Sequence, residues 1–353
     1  MALSPRRAIL TSVLPALALG LVAWPASAIH TARAATTAPI PVVAVGGYKV
    51  SVFAKGTQEY SGPDSIINDG QHVFVAFQNV TAKDGTDGRT STIVEYDATG
   101  KVLRTIPLLG HCDGMRQDPA THKLWALSNE DGNPRLLIVD PATGAATPYA
   151  FPPVPHGGGF DDIGFTGGMV FMTASNPNTN KAGVNIYPAL DKVTLAAGKV
   201  KLTPVLMGDA MAIDLTSSTN AKVQLNLIDP DSITFDPEGN LVLDNQGGSQ
   251  LVFINKPGTP QQYVTALPIG NQVDDTVWPS STAGQLLISD TSANTIYSLR
   301  TTFLPGVSYS STPNDSGLAG IVGTIDSATG IVTPVAIGFG SPHGITYVPD
   351  AKR

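Results

Sequence analysis

The chain carries a single cysteine, Cys112, in 353 residues, so no intrachain disulfide can brace it. Charged residues make up only 14% of it, and beyond Arg6 and Arg7 lysine and arginine do not cluster. With a formal charge of −7 and no basic patch, it is a poor partner for nucleic acid or an anionic membrane surface. Helical patterning is nearly missing past the first 28 residues, and so is any further apolar run long enough to span a bilayer. Stability must therefore come from a core, and the length suffices to bury one.

The first 28 residues read as an export signal. Arg6 and Arg7 precede an apolar run from Ala8 to Trp24, and Ala26-Ser27-Ala28 supplies a small-residue cleavage site. Ala32-Arg33-Ala34 is a second such triplet. "SPRRAIL" also fits a twin-arginine signal, so the general secretory and twin-arginine routes stand side by side. Cleavage removes two arginines and moves the formal charge from −7 to −9. The expectation is an exported protein, periplasmic or extracellular, without a membrane anchor and monomeric. Residues 29–39 are expected to be a flexible leader to a single domain over 40–353.

What fills the chain is short Val/Ile/Thr/Phe-rich runs punctuated by 36 glycines and 28 prolines, the pattern of many short antiparallel strands. One hairpin recurs. "PDSIINDGQHVFVAFQN" (63–79), "CDGMRQDPATHKLWALSN" (112–129), "FDDIGFTGGMVFMTASN" (160–176), "PDSITFDPEGNLVLDNQ" (230–246) and "VDDTVWPSSTAGQLLISDT" (273–291) are five copies, and "PHGITYVPD" near the C-terminus starts a sixth. "TIVEYDATGKVLRTI", "LLIVDPATGAATPYA" and "VGTIDSATGIVTPVA" supply two further strands around an Asp-x-x-Thr-Gly turn. Four antiparallel strands per repeat predict an all-β fold, a six-bladed β-propeller. The ring closes if residues 40–56 pair in the same blade as 343–349, which also hides sheet edges. The marker residues are separated by 49, 48, 70, 43 and 69 positions. The two long spacings, near 177–228 and 292–325, read as inserted loops; a seventh, degenerate blade is the alternative.

Aligning the copies stacks Asp64, Asp113, Asp161, Asp231, Asp274 and His343 at the start of each innermost strand. These six should ring one mouth of the central channel, with Asn79, Asn129, Asn176, Asn245 and Asp290 at the same end of the second strands. His111 and His156 enter the same region. A strand-opening Asp also caps its own backbone as an Asx turn, so for any single Asp that reading stands beside the functional one. As a set they point to chemistry: carboxylates converging on one mouth raise each other's pKa unless a cation compensates. Oxygen-rich donors suit Ca²⁺ first, or Mg²⁺, and the imidazoles of His111, His156 and His343 admit Zn²⁺. Cys112 next to His111 reads as a buried, inert thiol, because neighbours along a strand face opposite ways.

"PDSITFDPEGNLVLDN" and "CDGMRQDP" resemble the inner hairpins of the senescence-marker-protein/gluconolactonase family and of related NHL-repeat propellers. That resemblance implies a divalent metal at the channel mouth that activates water or polarises a lactone carbonyl. By position it implies Asp113 and Asp231 as ligand and base. Ser61 stands where the family has a Glu, and His343 in "SPHG" stands where the family has an Asn ligand. Two function classes follow. The first is a metal-dependent hydrolase or lyase for a small neutral or cationic molecule, with Asp113, Asp231 and His343 as catalytic candidates. The second is a non-catalytic propeller that binds a ligand or protein through one face.

Overall fold

The computed structural model describes residues 41–313 and 320–351. The expected signal, both cleavage sites and the leader 29–39 lie outside the described residues. Among the described residues every regular element is a strand. No helix there is long and apolar enough to cross a membrane.

β1 (Val43–Ala44) and β2 (Lys49–Lys55) come first. A first unit follows, β3 (Pro63–Asn68), β4 (Val73–Phe77), β5 (Thr90–Tyr96) and β6 (Val102–Leu109), hydrogen-bonded in that order. The second unit is β7 (Cys112–Gln117), β8 (Leu124–Ser128), β9 (Arg135–Val139) and β10 (Ala146–Ala150). The third is β11 (Phe160–Thr166), β12 (Met169–Ala174), β13 (Pro188–Ala196) and β14 (Lys199–Met207). These two are joined at their outer edges by one parallel bridge, Ala150 to Lys199. A hairpin, β15 (Met211–Asp214) and β16 (Lys222–Gln224), then adds to the outer edge of the fourth unit. That unit is β17 (Pro230–Phe235), β18 (Leu241–Asn245), β19 (Gln250–Asn255) and β20 (Tyr263–Pro268). The remaining strands are β21 (Thr276–Val277), β22 (Gly284–Asp290), β23 (Thr295–Arg300), β24 (Ser308–Thr312), β25 (Gly320–Ile325), β26 (Val332–Phe339) and β27 (Pro342–Pro349). They interlace: β21, β24, β25, β26 and β1 form the fifth unit, and β27, β22, β23 and β2 form the sixth.

Three expectations change here. The stretch 273–291 is not a hairpin: β21 pairs with β24 while β22 pairs with β27 and β23. Pro279 and the turn residues after it carry the chain from one unit into the next. The segments read as inserted loops contain strands: β13, β14, β15 and β16 in the first, β23, β24 and β25 in the second. Finally, the N-terminal segment divides. β2 joins the sheet of β27, as closure requires, but β1 pairs with β26 in the neighbouring unit.

The innermost strands touch in a closed cycle, β3 to β7, β7 to β11, β11 to β17, β17 to β21, β21 to β27 and β27 back to β3. Apolar clusters fill the gaps between neighbours. Ile67, Phe74 and Ile93 pack on Met115 and Leu124 between the first and second units, and Val75, Phe77 and Tyr96 pack on Leu287 and Ile296 between the first and sixth. A fully buried Leu such as Leu124 or Leu243 contributes roughly 1.5–3 kcal/mol. Packing on both faces explains why the second strands are buried along their whole length, as in VFVAF of β4 and LWALS of β8. The outer β6, one face in water, alternates instead.

The inner strands approach so closely that some positions allow only glycine. A Cβ on Gly114 would lie 1.6 Å from the Asp161 carbonyl oxygen, and one on Gly344 2.3 Å from that of Asp64.

Candidate functional site

Five of the six inner strands open on a β-bulge. The pairing of β3 with β4 skips from Pro63 to Ile66, that of β7 with β8 from Cys112 to Met115, and that of β11 with β12 from Phe160 to Ile163. The pairing of β17 with β18 skips from Pro230 to Ile233, and β27 slips against β22 at His343–Gly344. Two residues then oppose one, and consecutive side chains reach the same cavity instead of alternating. Alternation would have forced a choice between Asp161 and Asp162, or between Asp274 and Asp275. The bulge and the short β21 bring in all four.

The six aligned residues do converge. Asp64, Asp113, Asp161, Asp231, Asp274 and His343 line one narrow waist on the channel axis together with Asp162, Asp275 and Arg116. Above it opens a mouth of about 280 Å³, lined by Asp64, Asp113, Glu130, Asp161, Asp229 and Asp231. Gln78, Lys83, Asn176, Gln246, Thr291 and His343 complete its wall. Beyond the waist a second opening of about 350 Å³ is lined by the following positions of the inner strands, among them Ile67, Thr234 and Thr346.

The waist is neutralised from within. Arg116 Nη2 lies 2.6 Å from Asp162 Oδ2 and 3.3 Å from Asp275 Oδ1, and donates to the Ile233 carbonyl at 3.1 Å. Asp162 also accepts the Ile233 N–H, and Asp275 accepts the Ile345 N–H. Burial pushes Asp162 up to about 7 despite the opposing pull of Arg116.

The mouth is not balanced in this way. Gln78 Nε2 donates to Asp64 Oδ2 and Asp113 Oδ1, both at 2.6 Å, and Gln246 Nε2 donates to Asp274 at 2.8 Å. Lys83, from the β4–β5 loop, sets its ammonium on Glu130 and is held above its usual pKa, Glu130 and then Asp113 outweighing its own desolvation. Burial, followed by the charge of Asp113, pushes Asp64 and Glu130 well up. Burial and the charges of Asp231 and then Asp113 do the same to Asp161, and burial with Asp274 and Asp229 to Asp231. Burial works against Asp113 too, but hydrogen bonds from Glu130 and Asp161 and the charges of His111 and Lys83 hold it far down. Without a further cation, burial and mutual repulsion favour the protonated forms of Asp64, Glu130, Asp161 and Asp231 around Asp113.

His111, Asp113 and Glu130 bring donor atoms within 4.8 Å of one another. His111 is buried, and its Nδ1 lies 3.0 Å from the Thr81 carbonyl. A carbonyl only accepts, so Nδ1 carries a proton, and Nε2 lies 3.8 Å from Glu130 Oε1. With Nδ1 held by a carbonyl, Nε2 is the ring atom left to ligate an ion, which would take the place of any proton there.

The remaining expected ligands have other partners, and of them only Asn176 lines the mouth. Asn129 accepts the His111 N–H and donates to the Asn133 carbonyl, so it braces the loop. Asn245 is fully buried and turned to the Asn226 carbonyl and Gln250. Asn176 lines the mouth but donates to Asp131. His156 is buried edge-on to Phe160 at 5.3 Å, and desolvation lowers it to about 4, so it stays neutral. It does not line the mouth. Pairing explains the slip: Phe77, Ala174 and Asn245 are equivalent, which makes Gln78, Ser175 and Gln246 the mouth-facing set. A one-residue shift turns a strand residue to the other side. Asn79 and Asp290 likewise hold backbone amides, Asn79 that of Ser61 and Asp290 those of Gly340 and Ser341. Cys112 is buried and its pKa is pushed up by desolvation, as an inert thiol requires.

Sequence reasoning missed Glu130, Lys83 and Arg116. Glu130 directly follows the marker Asn129, two positions past the pairing of Ser128 with Cys112, where the third unit has Asn176. Arg116 sits among Ile67, Gly164 and Thr234 in the aligned strands, and it is the only charge at that position.

No protein-family model matches the chain, and no curated protein matches it at the sequence level. Among solved structures, a protein of unknown function from Bacteroides caccae is 12% identical, with 81% of this chain and 86% of that one covered and a TM-score of 0.47. The periplasmic gluconolactonase PpgL of Pseudomonas aeruginosa is 13% identical, covering 86% and 99%, with a TM-score of 0.48. A streptogramin B lyase is 12% identical, covering 85% and 98%, with a TM-score of 0.42. Likeness at that level assigns no chemistry, which rests on the residues of the mouth.

Proposed function

We propose that the chain is an exported six-bladed β-propeller whose acidic mouth binds a divalent cation and hydrolyses a small neutral or cationic molecule there, of lactone type. The closed cycle of inner strands and the apolar clusters between neighbouring units support six blades. The observation that carries the function is His111, with Nδ1 committed to Thr81 and Nε2 turned to Asp113 and Glu130. These three residues would hold the ion, with Asp161 adjoining. An imidazole and two carboxylates fit Zn²⁺ or another transition ion better than the Ca²⁺ ranked first from composition. When bound, such an ion supplies Lewis acidity towards a carbonyl oxygen or an activated water.

The chain's own groups supply the proton traffic. Asp231, whose burial beside Asp274 and Asp229 favours the protonated form, can donate a proton to a leaving oxygen. His343, with Nδ1 2.6 Å from Asp274, can accept one at Nε2. Gln78 and Gln246 fix the carboxylates around them, and the carboxylate-rich wall disfavours anionic substrates.

Elemental analysis of the purified protein and thermal melts with and without chelator test this, with Ca²⁺, Mg²⁺ and Zn²⁺ restored one at a time and a lactone panel for activity. A bound ion, a lower Tm after chelation and recovery with Zn²⁺ are the expected results. A second reading, a non-catalytic ligand-binding propeller, is favoured by Lys83, which already gives Glu130 a cation. It replaces the first if no ion is found and chelation leaves the melt unchanged.

A further inference from the structure

Across the ring from His111, residues of the fifth and sixth units form a different constellation. Asp274 accepts the Asp275 N–H at 2.7 Å, Gln246 Nε2 at 2.8 Å and His343 Nδ1 at 2.6 Å. A carboxylate only accepts, so Nδ1 of His343 carries the proton and the ring is fixed in one tautomer. Its Nε2 lies 2.9 Å from Ser341 Oγ, two residues earlier in the chain. The bulge at His343–Gly344 is what brings the ring into the mouth while Ser341 stays outside the strand before Pro342. Ser341 is 8% exposed, and Thr291, whose N–H binds the Ser341 carbonyl, lines the same mouth as His343.

We propose that Ser341, His343 and Asp274 form a nucleophilic triad that transfers acyl groups from small neutral or cationic esters, independently of any metal. Nucleophile, base and orienting carboxylate have the mutual geometry that acyl transfer requires, whatever their order in the chain. Ser341 Oγ attacks the ester carbonyl as its proton passes to His343 Nε2, and Asp274 stabilises the imidazolium. Collapse breaks the bond to the alcohol, which leaves with the proton from His343. Water then attacks the acyl-serine, giving its proton to Nε2, and releases the acid while Ser341 regains its hydrogen. The N–H groups of Gly340 and Ser341 are already committed to Asp290. These two amides therefore do not form a preset oxyanion hole. Turnover should be slow for that reason, and covalent capture is the sensitive readout.

The test treats the folded full-length protein, with and without chelator, with a fluorophosphonate probe and maps the adduct by peptide mass spectrometry. The Oγ–P bond forms, the P–F bond breaks, fluoride leaves, and the serine proton goes to His343. The expected result is an adduct on Ser341, insensitive to chelator, absent in S341A and slowed roughly 10²-fold in H343Q. No adduct on Ser341 in protein that melts cooperatively overturns the proposal, as does an equal rate in H343Q. Ser341→Cys gives a second reading: iodoacetamide should alkylate it at neutral pH at least about tenfold faster than in the doubly substituted S341C/H343Q, with buried Cys112 silent. Equal rates overturn the proposal too. Loss of the metal response alone leaves these outcomes unchanged, so the two proposals fail separately.

Discussion

The waist and the mouth of the channel lie at adjoining positions of the same repeat, yet their charges are settled differently. At the waist Arg116 lies between Asp162 and Asp275, and backbone amides take further lone pairs of those carboxylates. At the mouth six carboxyl groups face Lys83 and His343, and burial with mutual repulsion pushes four of them towards their protonated forms. The waist therefore reads as structure, a pin through four neighbouring inner strands. The mouth reads as a site, because its charges are resolved only by protons or by something that arrives from outside.

Removing the pin is the most damaging change. Arg116→Met leaves two buried carboxylates unpaired and should cost about 3–5 kcal/mol in urea unfolding. If the loss is under about 1 kcal/mol, the waist is no more structural than the mouth.

Emptying the mouth should cost less. At an ion concentration of about 100 Kd the native state gains roughly 2.7 kcal/mol, so chelation should lower the Tm by several degrees. Asp113→Asn or Glu130→Gln should abolish that response.

The pH profile separates the regions next. Carboxyls with raised folded pKa values bind more protons folded than unfolded, so their stabilisation is full below about pH 4 and lost as pH rises through the folded values. Those values are about 6 for Asp229 and about 7 for Asp162. Chelated protein should thus lose Tm between pH 4 and 7, and restored ion should flatten the mouth's share. A Tm that rises over that window contradicts the protonated mouth.

Smaller still, Lys83→Met removes the internal cation from Glu130. Because Lys83 is 59% exposed the direct loss should stay under about 1 kcal/mol, while the chelator-induced drop in Tm grows. At the bottom of the scale, Asp140→Asn should change neither the unfolding free energy nor its increase on metal binding by more than about 0.5 kcal/mol, since an Asn caps the Ala142 N–H as well.

Much of the ring was legible because a repeat repeats its geometry. "PDSI", "CDGM" and "FDDI" put a carboxylate one residue after the first paired position of each inner strand, and any closed array carries that position to the axis. Asn129 and Asn245 were misplaced because an alignment by residue type cannot see that one follows its strand and the other ends it. Glu130 and Lys83 come from loops, whose path no periodicity records. Ser341 was invisible for another reason: a serine before a proline is ordinary until a folded imidazole lies 2.9 Å away.

By itself the sequence determined the strand class, the repeat and the residue that opens each inner strand, because side-chain period and turn chemistry act over a few neighbouring residues. Tertiary structure alone decided which strands share a sheet, so that β21 and β22 part company and β27 pairs with β22. It also decided which charges meet, setting Arg116 between Asp162 and Asp275 and His343 between Asp274 and Ser341. Apart from the neighbours Ser341 and His343, those partners are far apart in the chain, and only closure of the array, driven by burial of apolar faces between neighbouring units, brings them into one low-dielectric channel where each pairing changes the protonation of the next.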